Sequence, residues 1–375
     1  MNIKKTFFWL HLVLGCSAAI FIFLMSITGL ALTYERQIIK FAEQKDYPVK
    51  PDGIEEPLSI EKIKNISQNY PTEKQTSLKF INEIDAPIQI KDGRKTLAYL
   101  NPYTGEKITK LGDGTKSFFK HLRAFHRWLS LDGKFSSQGR WVNGISNVIF
   151  IFIIVSGIYL WLPKRFNRRT FKQKLTLTGS YPSSKARDYQ WHNVFGIYMA
   201  PALFVIAFTA IFFSFKWPGQ VLKENVSTIS KTLPKPTKVA TPHFSHDVIE
   251  HQLMVIKESN LEWKSIQFGI PDEPVSIHTY QIDNGNGAEP HKRYTAVFDN
   301  ATGKVIATQD FESLSEYSQL RSIIRFLHTG EILGIIGQTI AGLASLLACL
   351  LAYTGITLSW RRYKASTRKS NGRSA

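Results

Sequence analysis

The sequence predicts a membrane α-helical fold: a four-span bundle built from two parallel repeats, with two small α+β domains on the outer side. Three observations carry that prediction. Windows 7–32, 141–162, 191–215 and 332–360 contain no Asp, Glu, Lys or Arg, and each reaches the roughly 20 residues a helix needs to cross a bilayer. The stretch Trp9-Leu10-His11-Leu12-Val13-Leu14-Gly15 returns as Gln190-Trp191-His192-Asn193-Val194-Phe195-Gly196, with a threonine 17 residues after each histidine, Thr28 and Thr209. Third, the basic charge is concentrated in short segments that a four-span topology puts on one side.

That charge settles orientation. A net +18 in a soluble protein would point to nucleic acid. Here residues 1–6, 163–189 and 361–375 hold sixteen Lys and Arg against the single acid Asp188, which is +15 of the total. By the positive-inside rule these segments are cytoplasmic. The expected layout is spans at 7–33, 141–162, 190–215 and 332–360, outer domains at 34–140 and 216–331, and a basic loop (163–189) and tail (361–375) inside. The chain is then a multi-pass protein of the bacterial cytoplasmic membrane with both termini inside. The first window follows Lys4 and Lys5 like a secretory signal, yet it outruns the apolar stretch of about 7–15 residues of a cleaved signal, so it stays as an anchor. Cys16 and Cys349, both inside apolar windows, read as small buried residues rather than a disulfide.

In the first outer segment, Ser59–Tyr70 places Ile60, Ile63 and Ile66 at helical spacing behind a capping serine. Strands follow at Ser77–Ile81, Ile88–Ile90 and Thr96–Leu100, the last running into Asn101-Pro102-Tyr103-Thr104-Gly105-Glu106. Proline and glycine there fit a hairpin turn. The second outer segment has a helix at Ser245–Lys257, a strand at Tyr294–Phe298 and a matching turn, Asp299-Asn300-Ala301-Thr302-Gly303-Lys304. Each then ends on a histidine before a span: Phe125-His126-Arg127-Trp128 and Leu327-His328-Thr329-Gly330. The spans close with Val155-Ser156-Gly157 and Tyr353-Thr354-Gly355. A parallel repeat has its pseudo-two-fold axis along the membrane normal, which sets His11 opposite His192 and His126 opposite His328.

His11 stands six residues beyond Lys5, about 9 Å along a helix, where a polar side chain is costly without a partner. Two histidines at equivalent positions point to one ligand between them, and haem iron with two axial histidines in a helical bundle fits that pattern. Gly15 and Gly196, one turn further in, leave room for a flat macrocycle, with Trp9, Trp191 and Phe195 nearby. Interhelical hydrogen bonding or proton transfer is the alternative. His126 and His328 form the corresponding outer pair, with Gly330, Gly334 and Gly337 keeping the following turns thin; histidines that line the outer mouth are the alternative. His121 reads as an accessory group. His243, His246, His251, His278 and His291 read as surface residues, His243 and His246 having a metal-like spacing without a supporting cysteine.

Taken in order, these motifs resemble the PepSY-associated transmembrane proteins: a span opening His-x-x-x-Gly, an outer domain ending in a strand and Asn-Pro-x-Thr-Gly-Glu, the Phe125–Leu129 and Leu327–Glu331 motifs, and a closing Ser/Thr-Gly. The resemblance covers the whole chain; Ala210 departs from it where the first half has Gly29. It implies PepSY-like outer domains and two b-type haems with axial ligands His11, His192, His126 and His328. It also implies an iron-regulated inner-membrane oxidoreductase that reduces ferric siderophore outside and releases Fe(II). The inner segments hold no Gly-x-Gly-x-x-Gly and are too short for a flavin domain, so the electron donor is a separate quinol or reductase. A transporter of iron or siderophore, or a membrane-anchored protein-binding module, are the rival functions.

Overall fold

The computed structural model describes residues 3–53, 56–73, 75–164, 167–239, 246–271 and 273–371. Contacts divide the chain into two units: residues 1–35, 117–225 and 324–375, and residues 36–116 and 226–323.

The first unit is helical. Among the described residues, four helices are long and apolar enough to cross a membrane: Ile3–Leu32, Ser136–Trp161, Ser184–Ser214 and Gly334–Asn371, here spans 1 to 4. Span 1 packs on spans 2 and 4, and span 3 packs on the same two, so the four close into a ring. Their shared core is made of small and branched side chains: Ala200, Leu203, Ala207, Ala344, Ala348 and Ile154. Such residues let helix backbones approach where lipid removes the usual hydrophobic drive. Spans 3 and 4 run past their uncharged windows at one end, span 3 starting at Ser184 behind the Ser183 cap, whose Oγ accepts from Ala186 N at 3.2 Å. Charged side chains carry these turns, since a helix satisfies its own backbone in any solvent. Cys16 is exposed on the bundle surface and Cys349 is buried, both as free thiols, so only Cys349 is the small buried residue expected of both.

The second unit is a sheet with helices on one face. Its strands are β1 (Thr76–Ile81), β2 (Ile88–Asp92), β3 (Lys95–Leu100), β4 (Ser265–Gly269), β5 (Ile277–Asp283), β6 (Arg293–Asp299) and β7 (Val305–Gln309). They form one antiparallel sheet in the order β3-β2-β1-β4-β5-β6-β7. The expectation of two separate outer domains is corrected here, because β1 from the first segment pairs with β4 from the second, Leu78 opposite Phe268. Two sheets of three and four strands would each have left a central edge unpaired, and joining them removes both edges.

Helices Ile60–Ser67 and His246–Ser259 cover one face, burying Ile60, Ile63, Ile249, Leu253 and Ile256 against Leu78, Ile90, Ile266, Phe268 and Tyr280. Ser59 caps the first helix, its Oγ accepting from Lys62 N. The two matching turns are built alike. Gly105 N donates to Asn101 O at 3.0 Å with φ +77, and Gly303 N to Asp299 O at 2.9 Å with φ +68. Both positions need the left-handed backbone that glycine adopts without penalty. After the second turn a full strand follows, whereas after the first only Lys107 bridges back to Leu100.

Candidate functional site

All four repeat histidines lie in the helical unit, and the structure gathers them into two pairs. The rings of His11 and His192 have centroids 6.5 Å apart at 86°; those of His126 and His328 are also 6.5 Å apart, at 53°. His126 closes helix Asp113–Trp128 and His328 closes helix Glu316–His328.

Each ring is held in the same way, by a hydroxyl on a neighbouring span. Ser156 Oγ accepts from His11 Nδ1 at 2.9 Å and Thr354 Oγ1 from His192 Nδ1 at 2.9 Å. Thr28 Oγ1 accepts from His126 Nδ1 at 2.8 Å and Thr209 Oγ1 from His328 Nδ1 at 3.1 Å. The direction follows from the hydroxyl protons, which are already committed to helix carbonyls: Ser156 to Ile153 O, Thr354 to Leu350 O, Thr28 to Leu24 O and Thr209 to Val205 O. An oxygen that has donated its proton can only accept, so Nδ1 carries the ring proton. The lone pair is left on Nε2, the tautomer a metal-ligating histidine needs.

The residue after each hydroxyl is small, and three of the four are glycines set against the imidazole edge. A Cβ at Gly157 would lie 3.3 Å from His11 Cε1, at Gly355 3.4 Å from His192 Cε1, and at Gly29 3.5 Å from His126 Cε1. Ala210 holds the fourth place. The sequence contained this hydroxyl-small pair four times over, as Ser156-Gly157, Thr354-Gly355, Thr28-Gly29 and Thr209-Ala210, but only the fold shows that each serves a histidine from another helix. Because Thr28 grips His126 and lies 17 residues beyond His11 on one helix, the two pairs are about 25 Å apart along the bundle.

Two imidazoles on opposite sides of one metal ion, each nitrogen ~2.1 Å from the metal and about 1.1 Å from its own ring centre, have ring centres roughly 6.4 Å apart. Both pairs meet that separation. Room is present as well: a Cβ at Gly15 would meet nothing within 4 Å, and one at Gly196 only Leu351 Cδ2 at 3.7 Å. Among the described residues no group of three or more His, Cys, Asp and Glu side chains converges, so an ion held between either pair would need its other ligands from a bound group. Such a donor set would fit haem, one to be held by His11 with His192 and another by His126 with His328.

The aromatics expected beside the inner pair are engaged elsewhere. Trp9 carries the Arg362 guanidinium at 5.1 Å, and Trp191 carries Arg187 at 5.0 Å while its edge meets Phe195. Asp188, fully buried one turn before His192, binds Arg187 Nη2 at 2.9 Å. Arg361 Nη1 lies 2.9 Å from its other oxygen, an ion-pair distance without the alignment of a hydrogen bond. This bridge fastens span 3 to span 4 beside the inner pair.

At the outer pair, Asn143 Nδ2 donates to His126 O at 3.0 Å and Phe213 meets the His328 ring at 5.3 Å. The chain leaves His126 through Leu129 and Ser130 with φ of 57° and 54°, and leaves His328 through Gly330 at 74°. Both helices then meet their spans at a glycine, where a Cβ on Gly139 would fall 2.1 Å from Trp128 O and one on Gly337 2.2 Å from Gly330 O.

His121 is exposed and bonds back to Ser117 O of its own helix at 2.8 Å, outside the pair. His251 and His291 are exposed; His243 and the His246 side chain lie outside the described residues. His278 corrects the surface reading, being 4% exposed on the core face of β5 beside Tyr280. Gln252 Oε1 accepts from His278 Nδ1 at 3.1 Å and from Tyr280 OH at 2.7 Å. Burial lowers the His278 pKa to about 4 and raises that of Tyr280.

No curated protein matches the sequence. The four spans make the chain a multi-pass membrane protein, and the family model described as PepSY-associated TM region matches residues 8–372. The chain belongs to that family.

Proposed function

We propose that the chain is a haem-binding oxidoreductase that moves electrons across the bacterial cytoplasmic membrane to ferric iron held in siderophores outside, releasing Fe(II). The observation that carries the proposal is the repeated 6.5 Å separation of two imidazole pairs, each ring fixed through Nδ1 with Nε2 left to ligate. A duplicated unit produces such pairs twice, once near each face. Bound b-type haem supplies one-electron Fe(III)/Fe(II) chemistry. The chain itself sets ring tautomer and orientation through Ser156, Thr354, Thr28 and Thr209, and excludes water with the core between the pairs.

The charge asymmetry supports termini inside and the substrate outside. Each ferric ion takes one electron. A separate donor, a quinol or a reductase, supplies them inside; a quinol that gives up two electrons and two protons serves two ferric complexes. Iron leaves because Fe(II) is a poorer match than Fe(III) for hard oxygen ligands.

The test is stopped-flow spectroscopy on dithionite-reduced protein mixed anaerobically with a ferric siderophore. Wild type reoxidises rapidly; His328→Ala, which disrupts the outer pair, reoxidises at least about tenfold more slowly while the inner haem spectrum remains as the control for folding. Equal rates would remove His328 from the exit.

A further inference from the structure

One polar row crosses the sheet. From β2 to β7 it reads Gln89, Lys79, Gln267, Gln281, Thr295 and Gln309, each the register partner of the next. The core side chains Leu78, Ile90, Ile266, Phe268 and Tyr280 occupy the alternate positions, so the row lies on the face that the two helices do not cover. Lys91 joins it. It is the register partner of Ser77, two residues from Lys79 on the neighbouring strand, a diagonal within reach of two long side chains.

Among the charged groups whose fields reach Lys79, cations outnumber carboxylates. Lys79 is half-buried, and the fields of Lys91, Arg293 and Arg36 act against its charge while that of Asp283 supports it. Asp283 is itself engaged by Arg293 Nε at 2.9 Å. Burial first, and the neighbouring cations next, push the Lys79 ammonium below its ordinary pKa; burial does the same for Lys91. A solvated sheet face ordinarily leaves its charges to water, and gathering half-buried like charges costs the folded protein free energy. A multiply charged anion offsets that cost; Gln267 Nε2 already donates to Ser77 Oγ at 3.3 Å and Gln309 Nε2 to Lys231 O at 2.6 Å, so the amide N–H groups of Gln89 and Gln281 are the donors for its outer oxygens.

We propose that this face of the sheet binds a multiply charged oxyanion, namely a ferric complex of net negative charge whose iron is wrapped in carboxylate or catecholate oxygens. A cationic hydroxamate complex is rejected by the same field. The identity of the occupant as an iron complex rests on the reductase reading above; the binding of an oxyanion does not. Phosphate, free or in a lipid headgroup, shares the oxyanion chemistry and is the competing source.

The test uses full-length protein and gallium(III), which adopts the ferric ligand set but is not reduced, so binding is read without electron transfer. Calorimetry with a gallium tris(catecholate) should show binding that weakens about tenfold or more in Lys79→Gln/Lys91→Gln, the loss of two charge-assisted contacts. Lys79→Arg/Lys91→Arg should retain most of it, and a cationic gallium trihydroxamate should give no signal. Equal affinity in the Gln double variant and wild type overturns the site. Displacement of the catecholate complex by equimolar inorganic phosphate, or by transfer to nanodiscs containing anionic lipid, assigns the face to phosphate and overturns the ferric assignment. Gallium binding without ferric reduction would sink the reductase reading instead and leave the face standing as an anion site.

Discussion

Removing the Ser156 hydroxyl leaves His11 Nδ1 without the acceptor that now holds it at 2.9 Å. Losing such an outer-sphere partner typically costs 10–100-fold in affinity for the ligated group. Ser156→Ala should therefore weaken retention of the inner haem by about that factor and shift its midpoint potential, whereas Ser156→Thr, which keeps the oxygen, should restore both; dilution spectra and a potentiometric titration read the two effects separately. His278 gives a second prediction at this scale. Its pKa falls to about 4 in the folded protein from 6.5, so above pH 6.5 it is neutral in both states and costs nothing. As pH drops from about 6.5 toward 4 the unfolded chain takes up the proton first, and stability is lost by up to about 3 kcal/mol. Unfolding of the sheet unit followed from pH 7 to 4 should show a steeper loss in wild type than in His278→Gln, and parallel curves would contradict the burial argument.

At the level of elements, the outer histidines depend on two close crossings. Gly139 and Gly337 leave no space for a Cβ, the nearest backbone oxygens lying 2.1 and 2.2 Å from where it would stand. Gly139→Ala and Gly337→Ala should each displace the helix that carries His126 or His328, cost about 1–3 kcal/mol, and lower outer haem content while leaving the inner haem in place. Retention of both haems in both variants would show that these crossings do not position the pair. Much of this level was legible in advance. The four apolar windows, the capped helix at Ser59 and the twin turns at Gly105 and Gly303 follow from local rules that need no tertiary information. β5 was hidden because His278, a polar residue, stands on its core face and breaks the apolar alternation, and β7 because its exposed edge position demands no apolar pattern. The pairing of β1 with β4 joins residues almost 190 apart, which no local signal announces.

For the whole molecule, the recurrence of the His-x-x-x-Gly motif, with Thr28 and Thr209 each 17 residues after its histidine, is why so much of the candidate site could be read from the sequence. What the recurring motif could not reveal was how each ring is held, since the hydroxyl comes from a different helix, 98 to 162 residues away. The repeat is not perfect, and Asp188 with Arg361 has no charged counterpart at Phe7 and Pro163 in the first half. The central claim is that His11 with His192, and His126 with His328, each hold one haem. Pyridine haemochrome quantitation on purified wild type, His11→Ala, His192→Ala and the double variant tests it most directly. Two haems per wild-type chain, and the same single haem lost in all three variants, is the result the paired geometry predicts. A wild-type protein without haem, or a double variant that loses twice what either single variant loses, would contradict it.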